Sequence, residues 1–170
     1  MKAIVIYESM FGNTQEVARA IAEGLRLHLD VETVEVGSAP PAIGEGELLV
    51  IGGPTHTFSM SRESTREEAV TKAPEPVVSQ GIGVREWLES LPASTGSPPA
   101  ATFDTKVARP ALPGSAAKAM QKRLRKKGFR ILHPATNFLV EDTDGPLVEG
   151  QLDRARQLGD HLGSLIAAEG

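Results

Sequence analysis

Residues 3–14 read Ala3-Ile4-Val5-Ile6-Tyr7-Glu8-Ser9-Met10-Phe11-Gly12-Asn13-Thr14, and they predict a buried strand, a tight loop and a helix N-terminus in succession. The apolar run from Ala3 to Tyr7 does not alternate with polar residues, which marks a strand covered on both faces. Beyond the loop, Val17, Ala18, Ile21, Leu25 and Leu29 fall on one face of a helix. Asn13 is the expected N-cap, with Glu16 three residues on in capping-box spacing. A loop in this position suits an anion, because the first-turn N–H groups lack intrahelical partners and the helix dipole is positive there. Gly12 lets the backbone close around the anion, and Ser9 and Thr14 add hydroxyl donors. No lysine or arginine stands between Ser9 and Thr14, which fits a terminal phosphate held by neutral groups. The run contains neither the Gly-Lys-Ser/Thr of a P-loop nor a G-x-G-x-x-G dinucleotide fingerprint. A capped turn with no ligand is the plain alternative.

The alternation continues outward from this segment. Val31 to Val36 alternates with Glu32, Thr33 and Glu35, the pattern of an edge strand. Leu48-Leu49-Val50-Ile51 is a second unbroken apolar run, expected to stop at Gly52-Gly53-Pro54. Ser64-Thr65-Arg66-Glu67 has capping-box spacing for a short helix to about Ala73, before Pro74 and Pro76. Val84, Trp87, Leu88 and Leu91 form the stripe of another helix, ending near Pro92. Ala100 to Thr105 reads as a strand. Gly114-Ser115 opens a helix with Ala116, Met120 and Leu124 inward, and Gly128 stands where a C-terminal glycine cap belongs. Phe129 to Leu132 begins a fifth strand, interrupted at Pro134 and resumed at Asn137 to Val140. The last helix carries Leu152, Ala155, Gly159, Leu162 and Ile166 on one face. Five strands alternating with helices predict one α/β domain over residues 1–170, a parallel sheet covered on both sides. Ligands of such sheets bind beyond the carboxyl ends of the strands.

The 170 residues hold 18 Lys and Arg against 22 Asp and Glu, a net charge of −4, and no cysteine. Disulfides, thiolate metal sites, iron–sulfur clusters and a cysteine nucleophile are excluded, and no other metal-ligand spacing stands out. The apolar run after Lys2 is too short for a signal-peptide core and no stretch approaches a membrane span, so a cytoplasmic protein is expected. The charge is unevenly spread. No acidic residue lies between Asp104 and Glu141, where Lys118, Lys122, Arg123, Arg125, Lys126 and Lys127 are concentrated. Such a dipolar surface steers a charged partner; the plain alternative is a solvated helix face whose cations favour its C-terminus. Nucleic acid is not the expected partner, since Phe129 is the lone aromatic of the basic segment and the net charge is negative.

Loop and element order together resemble the flavodoxins, over essentially the whole chain. Their phosphate loop is typically Ser/Thr-x-Thr/Tyr-Gly-x-Thr after the first strand; Ser9, Gly12 and Thr14 match it, with Phe11 in the variable third position. The resemblance implies a flavodoxin-like three-layer sandwich with a five-stranded parallel sheet in the order 2-1-3-4-5. It also implies FMN as cofactor, its phosphate on Ser9, Met10, Phe11, Gly12, Asn13 and Thr14. Two further cofactor loops are implied after the third and fourth strands. The first comprises Pro54, Thr55, His56, Thr57 and Phe58, and it looks like the Gly-x-Pro-Thr loop of flavodoxin-like quinone reductases. The second comprises Asp104, Thr105, Lys106 and Val107.

The sequence departs from that family in its aromatics. Flavodoxins commonly sandwich the isoalloxazine between a tryptophan and a tyrosine, whereas Trp87 and Tyr7 here fall in a helix stripe and a strand and are expected in the core. His56 and Phe58 remain as stacking candidates; His28 and His133 have no such setting. Lys106 and Arg109 stand where flavodoxins present acidic or neutral groups, and a cation near the pyrimidine edge would raise the flavin's reduction potential. The family implies a redox protein exchanging electrons with a partner protein or a small quinone-like acceptor. An NAD(P)H-dependent quinone reductase, or a protoporphyrinogen-oxidase-like flavoprotein, is the enzymatic alternative, although no separate nicotinamide motif is present. From another class comes a cofactor-free interaction module that kept the fold. Neither catalytic residues nor an oligomeric state can be read from the sequence.

Overall fold

Ala3, Val5 and Tyr7 of β1 (Lys2–Tyr7) are buried in one apolar cluster, and Ile4 and Ile6 in another, as an unbroken apolar strand requires. A computed structural model describes all 170 residues and sets this strand in the interior of a single sheet. β2 (Asp30–Glu35) and β3 (Glu47–His56) flank β1, both parallel to it. β4 (Ser59–Met60) folds back antiparallel on the end of β3. β5 (Pro99–Val107) pairs with the other side of β3, and β6 (Arg130–Ile131) and β7 (Thr136–Val140) share the outer side of β5. With β6 and β7 as the two halves of an interrupted fifth strand, and β4 as a hairpin arm, the order is the expected 2-1-3-4-5. The break between the halves falls at Pro134, which lacks the N–H a ladder needs.

Helices cover both faces. α1 (Asn13–Leu25) presents Val17, Ile21 and Leu25 to one side of the sheet. α2 (Glu63–Lys72) contributes Ala69 to a small separate cluster with Met10 and Val77. α3 (Val84–Ser90) and α4 (Ala116–Lys126) pack Trp87, Leu88, Met120 and Leu124 on the opposite face from α1. α5 (Gln151–Glu169) joins α1 with Ala155, Leu158, Leu162 and Ile166. Trp87 and Tyr7 are in the core as expected, and Trp87 Nε1 donates to the Pro40 carbonyl. α1 and α5 approach so closely that a side chain at Gly24 or Gly159 would collide with the other helix's backbone.

Three expectations are corrected. β3 does not stop at Ile51 but runs through Gly52 and Gly53 to His56, because the Phe103 ring occupies the space over Gly52 and keeps the strand in the sheet. The N-cap of α1 is Gly12, at φ 95° and ψ −9°, and Asn13 is already helical. The loop enters the helix through the left-handed region, which glycine tolerates and asparagine tolerates less well. The N-cap of α2 is Arg62, two residues before the expected Ser64, and the Arg62 N–H donates to Thr65 Oγ1 at 2.9 Å.

Candidate functional site

The chain leaves β1 toward β2 on one side and returns to β3 on the other, so a crevice opens beyond the carboxyl ends of these strands. A cleft of about 110 Å³ lies there. Ser9, Met10, Phe11, Asn13 and Thr14 form one wall, Pro54, Thr55 and His56 a second, and Thr105, Lys106 and Val107 a third. Three segments far apart in sequence are thus brought together. Val140 and Thr143 complete the lining, and sequence reasoning missed both because nothing in their own segment signals a ligand.

The wall formed by the first loop has donors to spare. The N–H groups of Met10 and Phe11, and those of Asn13, Thr14 and Gln15 in the first helical turn, have no acceptor in the protein. Helix N-termini with free N–H groups attract anions. Ser9 is fully buried; its N–H donates to Ser79 Oγ at 2.9 Å and its Oγ accepts from the Gly12 N–H at 3.1 Å. Gly12 itself is not part of the lining; its contribution is the turn. A strap from the 77–79 segment fixes the loop from outside: Ser79 N–H donates to the Ser9 carbonyl at 2.7 Å and Val78 N–H to that of Met10 at 3.0 Å. Ser79 Oγ in turn donates to Glu35 Oε2 at 2.8 Å, so this unsignalled serine couples the loop to β2.

The second loop ends in a two-residue hairpin. Thr57 and Phe58 have φ values of +46° and +71°, the conformation a tight β-hairpin demands and non-glycine residues resist. Each costs about 1–2 kcal/mol. Both residues lie outside the cleft, and Phe58 is 51% exposed at its rim, so it does not stack inside as its position in the sequence suggested. His56 does line the cleft, with Nδ1 3.0 Å from Thr65 Oγ1. Burial, reinforced by the positive charge of Arg66, pushes its pKa down to about 4, so the ring is neutral at neutral pH.

The expected third loop, Asp104 to Val107, is the C-terminal end of strand β5, held in the sheet by its pairing with β7, and its residues divide their work. Asp104 is fully buried and is not brought to the cleft. Its Oδ2 accepts from Ser115 Oγ at 2.6 Å, the Ala117 N–H at 3.0 Å, Asn137 Nδ2 at 3.0 Å and Thr55 Oγ1 at 3.1 Å. A carboxylate at the N-terminus of α4 is favourably placed against the helix dipole, and here it also braces β3 and β7. Thr105 faces the cleft, its Oγ1 2.7 Å from Thr14 Oγ1. Lys106 lines the cleft, but its ammonium donates to the carbonyls of Leu112 at 3.1 Å and Gly114 at 2.8 Å. Arg109 is exposed and outside the lining.

Directly behind these loops lies a buried acid that the sequence did not single out. Glu8 is fully buried; its Oε1 accepts from the Val84 N–H at 2.8 Å and its Oε2 has no partner. Burial raises its pKa above the usual carboxylate range. Arg66 beside it donates to Ser61 Oγ at 2.8 Å and pairs with Glu86 at 2.7 Å.

The donor set fits a flavin ending in a phosphate: free N–H groups and hydroxyls at one end, and elsewhere neutral polar and apolar groups with Lys106 as the one charged residue. Its aromatic content is low, since Phe11 is the sole aromatic ring of a Phe, Tyr or Trp in the lining. No helix is long and apolar enough to cross a membrane.

No protein-family model matches the sequence, and no curated protein matches it. Solved structures do. The chain is similar to Flavodoxin 1 from Bacillus cereus, with a TM-score of 0.68 and 18% identity over 100% of this chain and 99% of that one. It is similar to a flavodoxin from the domain Archaea, with a TM-score of 0.63 and 20% identity over 98% of this chain and 99% of that one. It also matches 36% of the flavodiiron protein from Giardia intestinalis, with a TM-score of 0.63 and 18% identity over 98% of this chain. The fold is flavodoxin-like.

Proposed function

From a flavodoxin-like fold as premise, we propose that the chain binds FMN noncovalently in this cleft and passes electrons to or from a partner. The observation that supports it is the wall of free N–H groups and buried hydroxyls at the N-terminus of α1, opening on the crevice where the strand order reverses. When bound, FMN supplies the redox chemistry, and the protein sets its position and potential. Ser9, Thr14 and the first-turn N–H groups hold the phosphate without a cation. Met10, Pro54 and Val107 offer apolar contacts that exclude water, and His56 offers a neutral polar edge. Asp104 acts through Thr55 and Ser115 as a positioning residue. A cytoplasmic setting belongs to the same proposal.

Flavin fluorescence tests it directly. Titrating the purified protein into FMN is expected to quench the emission, with binding at least about tenfold tighter than for riboflavin, which lacks the phosphate. A protein that leaves FMN emission unchanged overturns the assignment and favours a cofactor-free interaction module, and equal binding of riboflavin overturns the phosphate site.

One observation favours an enzymatic second reading. Trp87 and Tyr7 are locked in the core, so the pair that commonly encloses the flavin in one-electron carriers is absent from the cleft. Reduction of a small quinone by NADPH with the FMN-loaded protein alone would establish a quinone reductase; no turnover leaves the electron-transfer role.

A further inference from the structure

The strongest unpaired charge on the surface lies on α4. Lys118, Lys122, Arg125 and Lys126 are exposed, and none of these side chains makes an ion pair or hydrogen bond within the protein. Lys118, Lys122 and Arg125 follow at i, i+4 and i+7, so they form one outward stripe opposite Met120 and Leu124. Attraction to the helix dipole accounts for the cations of the last turn. It does not account for Lys118, which sits in the first turn, where a positive charge is disfavoured and only the buried Asp104 carboxylate offsets it.

The neighbouring elements extend the stripe but carry both signs. α4 packs against α3, which brings Arg85 to its side together with Glu86 and Glu89, and Arg62, the N-cap of α2, lies close to Arg85. Arg85 donates to the Met60 and Ser61 carbonyls at 2.7 and 3.0 Å and to no carboxylate. Burial, then the positive charges of Arg62 and Arg123, bear against its charged form, and Glu86 and Glu89 favour it. Arg123 has a single acidic partner, Glu89 at 3.4 Å.

At the cleft end of the stripe, charge gives way to exposed apolar side chains. Gly114 packs against the backbone of Phe58, and Lys106 ties the Leu112 and Gly114 carbonyls to the same rim. Phe58 and Leu112 are 51% and 52% exposed. Phe58 combines a positive φ with an apolar side chain left half exposed to water. An apolar centre bordered by unpaired charge is the composition of a protein-docking surface. On the far side of the cleft, Glu141, Asp142 and Asp144 are exposed, so the mouth has one cationic and one acidic rim that would orient a partner.

We propose that the outer face of α4, with Arg62 and Arg85 beside it and Phe58 and Leu112 at its cleft end, docks an acidic electron-transfer protein. The electron-transfer part rests on the proposed function; the docking part does not. An acidic protein suits the face better than nucleic acid, because α4 carries no aromatic ring on which bases could stack. Phe58 and Leu112 also need an apolar counterpart, which a protein surface supplies.

Backbone amide shifts of the full-length, isotope-labelled protein test the surface. An oxidised plant-type [2Fe–2S] ferredoxin serves as the acidic redox probe and cytochrome c as the basic one. At low ionic strength ferredoxin is expected to shift or broaden amides of α4, of Arg62 and Arg85 and of the Phe58 and Leu112 rim, while cytochrome c leaves them unmoved. The affinity should fall about tenfold or more as salt is raised to physiological strength. The exposed triple variant K118E/K122E/R125E should keep its thermal midpoint and its FMN affinity, and bind ferredoxin about tenfold more weakly or not at all. No response to ferredoxin, a response on another face, an unchanged response in the variant, or tighter binding of a single-stranded oligonucleotide would each overturn the proposal. Salt-dependent self-association of the protein alone would overturn it in favour of a second copy. Shifts without FMN binding would sustain the docking surface while removing the flavin; FMN binding without shifts would do the reverse.

Discussion

Thr14 Oγ1 lies 2.7 Å from Thr105 Oγ1, so one hydroxyl pair joins the first turn of α1 to the C-terminal end of β5 across the base of the cleft. Thr14 is 2% exposed and Thr105 5%, so neither hydroxyl has water as a ready substitute. Replacing Thr105 by the isosteric Val leaves the Thr14 hydroxyl buried and unpaired, at a cost of about 1–2 kcal/mol. The double variant T14V/T105V should lose less than the sum of the singles, because removing both partners strands neither. Urea midpoints for the four proteins check this, and additive losses would show that the pair is not coupled. FMN affinity should follow a different order, with T14V the more damaging single change.

Asp104 is expected to matter for stability first and for cofactor binding only through it. Its carboxylate gathers Ser115, Ala117, Asn137 and Thr55 in a fully buried position. Asp104→Ala abandons all of these donors and should cost about 3–5 kcal/mol, measured by chemical denaturation. At a temperature where the variant is still folded, its FMN affinity should fall less than that of T14V. A large loss of affinity in a protein of unchanged stability would instead place Asp104 in the cleft.

Two groups, His56 in the cleft and Glu8 behind it, make stability depend on pH with opposite signs. Unfolded, His56 titrates near 6.5, and in the folded protein near 4, so the unfolded chain binds more protons between these values. His56 therefore removes stability as pH falls through that window, by about 3 kcal/mol. Glu8 acts with the opposite sign. Its folded-state pKa is raised above 4.5, so its contribution is complete below that value and is lost as pH rises through the raised one. Denaturant midpoints from about pH 4 to about pH 8 should trace the sum of the two slopes. H56Q is expected to remove the loss of stability on acidification and E8Q the loss as pH rises above 4.5; a slope that survives its variant has another origin.

The contact between α1 and α5 leaves no room for a methyl group. A side chain at Gly159 would meet the Ile21 carbonyl, and one at Gly24 the Arg156 carbonyl, both backbone atoms that cannot swing aside. Gly159→Ala should cost about 3 kcal/mol or more although alanine is the better helix former, since overpacking outweighs a propensity gain of about 1 kcal/mol. Thermal unfolding of the variant checks it, and an unchanged or raised midpoint would mean that the helices separate freely.

Local pattern carried most of the architecture. The apolar run at 3–7, the stripes of α1, α3, α4 and α5 and the glycine at 128 each state their element within a few residues, because burial of one face imposes its own period. The same run of residues also announced an anion site, since a glycine and two hydroxyls at a helix start are a local device. Asn13 failed as a cap for an equally local reason that the sequence could not weigh, namely that Gly12 already held the left-handed position.

Other features depended on residues distant in the chain. The sequence placed Thr14 and Thr105, or Ser9 and Ser79, in separate segments, and only strand order brought them within hydrogen-bonding distance. Asp104 resembled a cofactor contact until α4 supplied its partners, and Phe58 resembled a stacking ring until a strained hairpin turned it outward. Residues 3–14 by themselves determined a buried strand, a loop and a helix start, because hydrophobic periodicity and glycine stereochemistry act over neighbouring residues. Which side chains meet in the cleft was decided by tertiary structure alone, because desolvation and hydrogen bonding act between atoms that are close in space, whatever their separation in sequence.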